Sequence, residues 1–157
     1  MDESVGASVS TLIEATLGED KEKFLLPPPV YETISAEVVE VDAEQGVLWL
    51  RFPMLRRYLN PYGTMQGGMI AAAIDNTIGP LSMLVAPPNV TRSMELEYFK
   101  PVPGSLSHVL VCAKLTERHK RRLVFEASVQ SPNGDELATA RAVHLVVAGL
   151  AAPPSAS

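Results

Sequence analysis

Two features of the stretch from Asn60 to Asp75 suit chemistry at a carbonyl. The first is Gly67-Gly68, placed where a turn rich in Asn, Pro and Gly gives way to the apolar run Met69–Ile74. If that run is helix, its first N–H groups lack partners within the helix. Two residues without a Cβ would leave those groups open to an oxygen gaining negative charge. The second feature is Asp75, a carboxylate among Ala, Ile and Thr, nine positions after Gln66. Such surroundings predict burial, and burying a carboxylate without purpose costs several kcal/mol. A polarising backbone and a base or nucleophile are two requirements of acyl transfer. The other reading of Asp75 is a cap or bridge at a subunit interface.

Positioning these groups falls to the flanking elements. Ile70, Ile74, Ile78 and Leu81 recur three or four apart and predict a helix from about Gly67, kinked near Gly79-Pro80 and ended by Pro87-Pro88. Gly67 and Asp75 would then stand about 12 Å apart at ~1.5 Å per residue, too far for one helix to aim both at one carbonyl. Before the helix, Ser10–Leu17 predicts a short helix stopped by Gly18, and Pro27-Pro28-Pro29 an extended connector. From Tyr31 a period of two through Ile34, Ala36 and Val38, then Val47–Phe52, predicts an antiparallel hairpin ended by Pro53. Leu55, Tyr58 and Leu59 suggest a turn of helix. After it come strands at Val90–Lys100, Leu106–Leu115, Leu123–Gln130 and Leu137–Val147, with turns at Pro101–Gly104 and Ser131–Asp135. One helix cannot cover both faces of such a sheet. Either the strands curl around it or another subunit buries the second face.

The 157 residues suffice for one domain with a real core. With 18 acids against 13 Lys and Arg, the net charge of -5 argues against a nucleic-acid partner. The single Cys112 has no disulfide partner in the chain and reads as a buried structural thiol. No uninterrupted apolar run reaches the ~18 residues that cross a bilayer. The start Met-Asp-Glu-Ser lacks the basic region and apolar core of a signal peptide. The expectation is a soluble, cytoplasmic protein with no membrane partner. His108, His119 and His144 lack metal-ligand spacing, so no metal is expected.

Asn60, Gly63, Gln66-Gly67-Gly68 and Asp75, with Thr91 at the head of the next strand, Pro101 and Gly104 after it, and the last segment Asp135–Ala140, make a combined pattern. In it the chain resembles the hotdog-fold acyl-CoA thioesterases, in the branch close to the phenylacetate-pathway thioesterases, over roughly residues 31–148. The resemblance implies an α+β hotdog fold, a curved antiparallel sheet of about six strands wrapped around one long central helix. Residues 1–30 would be an extension and 149–157 a flexible tail. It implies hydrolysis of an acyl-CoA to free acid and coenzyme A with no separate cofactor, coenzyme A being part of the substrate. The site would be shared between subunits of a homodimer or homotetramer, the Gly67-Gly68 helix start of one facing Asp75 of the other. Asn60 would orient the acid or the water, and Thr91 would hydrogen-bond to either. Where the family carries His beside the thioester carbonyl, this chain has Gln66, which donates a hydrogen bond but cannot titrate. Two other functions stay open: a non-catalytic acyl-CoA binder, and a hotdog hydratase or dehydratase, which would want a His paired with an acid.

Arg118-His119-Lys120-Arg121-Arg122 is the one basic concentration in an acidic chain. It reads either as a solvated hairpin end or as a contact for the phosphates of coenzyme A. Met65, Met69, Met83 and Tyr62 suggest either an acyl pocket near the loop or plain core.

Overall fold

The computed structural model describes residues 8–149; the first seven residues and all of the expected 149–157 tail except Gly149 lie outside them. Along the chain run α1 (Val9–Leu17), α2 (Val30–Thr33), β1 (Glu37–Asp42), β2 (Val47–Pro53), α3 (Gly67–Val85), β3 (Asn89–Tyr98), β4 (His108–His119), β5 (Arg122–Gln130) and β6 (Glu136–Val146). The strands form one sheet in the order β1-β2-β4-β5-β6-β3, every neighbouring pair antiparallel. The curved sheet wrapped on one long helix is the hotdog fold.

Alternation of side chains along each strand makes the inner face. In register across it lie Val38, Leu50, Val111, Val129 and Ala138, and beside them Val41, Leu48, Ala113, Ala127, Ala140 and Leu96. The predicted stripe Ile70, Ile74, Ile78 and Leu81 of α3 is buried in the same cluster. Small residues at Ala138, Ala140 and Ala142 occupy this face of β6, next to the larger Val129 and Phe125 of β5. Although α3 is long and apolar enough to cross a membrane by length and composition, a buried stripe seated on a sheet marks it as a core helix. It continues through Pro80 to Val85.

The outer face removes one reason for expecting a second layer. Lys114, Glu126, Arg141 and Glu95 stand in register there, and Arg51 lies 3.6 Å from Glu37. Such a face is at home in water. The unfinished part of the sheet is instead the edge strand β3, paired only to β6, with Val90, Tyr98 and the following Phe99 exposed. A long open edge is a template for another strand. Cys112 is buried, and burial pushes its thiol pKa up.

The N-terminal segment departs from its predicted course. The helix Val9–Leu17 and its Gly18 stop form as expected, with Gly18 at φ 55. The prolines do not continue as an extended connector: Pro29 is helical at φ -57, and α2 follows, with the Tyr31 N–H donating to Pro28 O at 2.9 Å. Tyr31 therefore belongs to a helical turn, and the first strand begins only at Glu37.

Candidate active site

The loop before α3 is built by its own polar groups. Asn60 Oδ1 accepts from the N–H groups of Tyr62 (3.0 Å) and Thr64 (3.2 Å), and Asn60 Nδ2 donates to Thr64 Oγ1 at 2.9 Å. Gly63 takes φ 76, as the turn requires. Its carbonyl accepts from the Gly104 N–H at 3.0 Å, and a Cβ on Gly104 would lie 2.7 Å from that oxygen. The pairing of Gly63 with Gly104 in the sequence pattern is thus a close backbone contact. Within one chain the Asn60 carboxamide braces the loop itself, and one of its two Nδ2 N–H groups is used there.

Gln66 is the N-cap of α3, its carbonyl accepting from the Met69 N–H at 2.8 Å while its side chain is exposed and caps nothing. The N–H groups of Gly67 and Gly68 have no acceptor among the described residues, as helix geometry dictates. Tyr98 Oη donates to Gly67 O at 2.9 Å, and its ring flanks the position a Gly67 Cβ would take. At Gly68 a Cβ would meet nothing within 4 Å, so the helix start opens outward there.

Asp75 is exposed in the single chain, which corrects the expectation of burial. Ile74 and Ile78 are fully buried, but each residue turns about 100° around a helix, and that step carries Asp75 off the buried stripe. No Lys or Arg lies within ion-pair distance of it among the described residues. Among the described residues its one side-chain polar contact is Thr91 Oγ1, which stands 3.5 Å from Asp75 Oδ1. Thr91 also lies 3.2 Å from Nε2 of His144, whose Nδ1 is 2.7 Å from Asn89 Oδ1. Sequence reading missed His144 and Asn89. Fifty-three residues separate Thr91 from His144, and only the pairing of β3 with β6 brings them opposite one another.

Burial holds the His144 pKa below its ordinary value of 6.5, with the charge of Asp75 pulling the other way. The neutral ring is then favoured by folding. Protonation on acidification takes more protons into the unfolded chain, so stability is full above pH 6.5 and declines as pH falls below it. Chemical denaturation between pH 4.5 and 8 is expected to show a shallower acid decline in His144→Gln than in the parent. Tyr31 also feels this site: burial, and then the Asp75 charge, push its pKa up to about 12.

The basic cluster divides between strand ends and a two-residue turn at Lys120-Arg121, with Lys120 at φ 54. The guanidinium of Arg118 donates from one nitrogen to Val85 O at 2.7 Å and so caps the end of α3, which uses one of its five N–H groups. Arg122 sits 3.5 Å from Glu117. His119, Lys120 and Arg121 are exposed. Arg118 shares a register row with Leu123, His144 and Thr91, so the turn lies at the Thr91 end of the sheet.

Of the predicted pocket residues, Met65 lines a cavity of about 320 Å³ at the helix start with Gly67, Ile70 and Tyr98, while Tyr62 is 90% exposed. Another cavity, of about 350 Å³, lies beneath α1, walled by Val9, Pro28, Ile34 and Phe52, with Tyr31 and Asn76 among its polar groups.

This fold, with a bare helix start and an acid that has no cationic partner among the described residues, is that of a hotdog protein. Residues 62–138 match the family model described as Thioesterase superfamily. A putative thioesterase from Ralstonia eutropha JMP134, a phenylacetic acid degradation-related protein, is 25% identical with a TM-score of 0.72, over 85% of this chain and 97% of that one. The PaaI protein of the Escherichia coli phenylacetic acid degradation operon has the same fold at 12% identity and TM-score 0.73, over 90% and 98% of the two chains. A Streptococcus mutans UA159 protein, solved bound to acetyl CoA, is 22% identical at TM-score 0.69, over 78% and 95%. No curated protein matches the sequence. Over residues 62–138 the chain thus carries the thioesterase-superfamily pattern, and as a whole it has the hotdog fold of the PaaI-like proteins.

Proposed function

We propose that the protein hydrolyses an acyl-CoA thioester to the free acid and coenzyme A, at a site completed by two copies of the chain. The observation that carries this reading is Asp75, exposed and without a cationic partner on the same helix as the open Gly67-Gly68 start. One helix separates the two by about 12 Å, whereas a second copy docked on the open β3 edge would bring one helix start towards Asp75 of the partner subunit. The Gly67 and Gly68 N–H groups then hold the carbonyl oxygen, which gains charge as the carbon is attacked, and the helix dipole adds to them. Gln66 lies at the same mouth as a neutral donor. Asp75 acts on the other side, either taking the proton of the attacking water or adding to the carbonyl itself. Collapse of the tetrahedral species breaks the C–S bond, and the coenzyme A thiolate leaves and takes up a proton. On the water route that proton is the one Asp75 removed, and the free acid forms at once. On the nucleophile route water supplies it and must then hydrolyse the acyl–Asp75 anhydride. The ligand of the Streptococcus mutans relative supports coenzyme A as the leaving group.

The cavity beneath α1 is suited to a compact acyl group, since Asn76 follows Asp75 directly and 350 Å³ is at the small end of ligand pockets. A hydrolysis screen of purified protein over short, medium, long and aromatic acyl-CoAs, read by free thiol, is expected to favour compact groups. Sedimentation of the same preparation is expected to give a dimer or tetramer. A stable monomer at micromolar concentration would remove the shared site, and binding without thiol release would leave an acyl-CoA binder.

For the nucleotide end, Arg121 and Arg122 at the turn are the residues to test. Replacing both by Ala is expected to raise KM for acyl-CoA several-fold while kcat changes little, because phosphate contacts far from the reacting carbon are uniform binding. With a pantetheine thioester lacking the nucleotide the difference should vanish. Equal losses on both substrates would mean that the nucleotide lies elsewhere.

A further inference from the structure

The proton count around Thr91 is decided by the orientation of a side chain two positions earlier. Asn89 Nδ2 donates to Pro87 O at 2.9 Å, with Ser82 O at 3.4 Å, which turns Asn89 Oδ1 towards His144. A carboxamide oxygen only accepts, so Nδ1 of His144, 2.7 Å away, must carry a proton and donate it. In the neutral ring Nε2 is then bare and accepts. Thr91 has one hydroxyl proton and two acceptors to choose between, Nε2 at 3.2 Å and Asp75 Oδ1 at 3.5 Å.

We propose that His144 is a positioning residue for Asp75: the neutral ring takes the Thr91 proton and leaves the carboxylate without a donor, while the protonated ring donates to Thr91 Oγ1 and turns that proton onto Asp75. The proposal rests on the reading of Asp75 as the reacting acid. A carboxylate that accepts no hydrogen bond is the stronger base, and one that holds a hydroxyl proton beside an imidazolium is weaker. Hydrolysis is therefore on with His144 neutral and off with it charged. Facing the ring are Asp75 from α3, with the Tyr31 phenol of α2 close to that acid. From β3 come Asn89 and Thr91, and from β5 Leu123 and the Phe125 ring, centroid 5.0 Å away. Beyond Leu123 lies Arg118, its guanidinium on Val85 O. Burial favours the neutral ring, in line with the on state at neutral pH.

The test combines kinetics with a readout that needs no turnover. His144→Leu, which offers Thr91 no acceptor, is expected to lower kcat about 10-fold with KM nearly unchanged. Adding Thr91→Val, which keeps the shape and deletes the proton, is expected to recover part of that loss. His144→Gln, whose amide oxygen can accept from Thr91, should retain kcat and lose the part of the acid limb that His144 contributes. Parental kcat in His144→Leu, or a loss that Thr91→Val fails to relieve, overturns the proposal. Should His144→Leu fail to fold, the pH profile of His144→Gln decides, an unchanged acid limb counting against. Imidazole 15N shifts of the parent protein at pH 8 should show the Nδ1–H tautomer, and an Nε2–H ring overturns the assignment whether or not any thioester is cleaved. If Asp75→Asn is fully active while the tautomer is as stated, the catalytic reading of Asp75 fails and the hydrogen-bond chain stands.

Discussion

Asp75→Asn is expected to lower turnover by about 10²-fold or more while the protein keeps its fold, its assembly and its affinity for acyl-CoA. That magnitude is what a general base or nucleophile contributes. Asparagine keeps the shape of the side chain and its contact with Thr91, which stands 3.5 Å from the carboxylate. What it loses is the charge and the capacity to take a proton. Because Asp75 is exposed and has no cationic partner among the described residues, its replacement strands no buried charge. A drop in kcat then reports chemistry and not unfolding. The comparison is kcat and acyl-CoA affinity on the same folded preparation. Near-parental hydrolysis by Asp75→Asn would make the acid structural.

Ile78→Ala is expected to cost about 2–5 kcal/mol of stability, the range for removing a large aliphatic side chain from a core that cannot collapse around the gap. Ile78 is fully buried on the stripe that seats α3 against the sheet. For a chain of this size each kcal/mol shifts melting by about 2–4 °C, giving a midpoint roughly 4–20 °C lower. Thermal and urea unfolding at matched protein concentration would measure it. A loss below about 1 kcal/mol would mean that the sheet does not hold the helix that carries Gly67, Gly68 and Asp75.

The two substitutions separate what was legible in the chain from what was not. Ile78 could be placed from sequence because burial on a helix follows its 3.6-residue period, and the stripe of four is regular. The strands from Val90 onwards were legible for the same kind of reason, alternation with turn residues between the runs. Asp75 was singled out as a chemical group and expected to be buried, and only the second reading is corrected, since the residue is exposed. Apolar neighbours in sequence say nothing about which side of a helix a residue faces, and one 100° step was enough to expose it.

Arg118 shows the converse limit. Its place in a basic run says nothing of a helix cap, yet the run spans a hairpin, and the strand geometry delivers that guanidinium to the last carbonyl of α3. Asn60 likewise had too many uses open to an Asn in a turn, and in the single chain its carboxamide braces the loop.

By itself the sequence determined the helix start at Gly67-Gly68, the presence of an acid two turns further on, and an antiparallel sheet with one inward face, because these depend on local backbone rules and short periods. Tertiary structure alone decided which groups meet: Asp75 with Thr91, Thr91 with His144, and His144 with Asn89. Those contacts depend on the register of β3 against β6, set by the whole sheet closing over one helix, and no spacing along the chain encodes it.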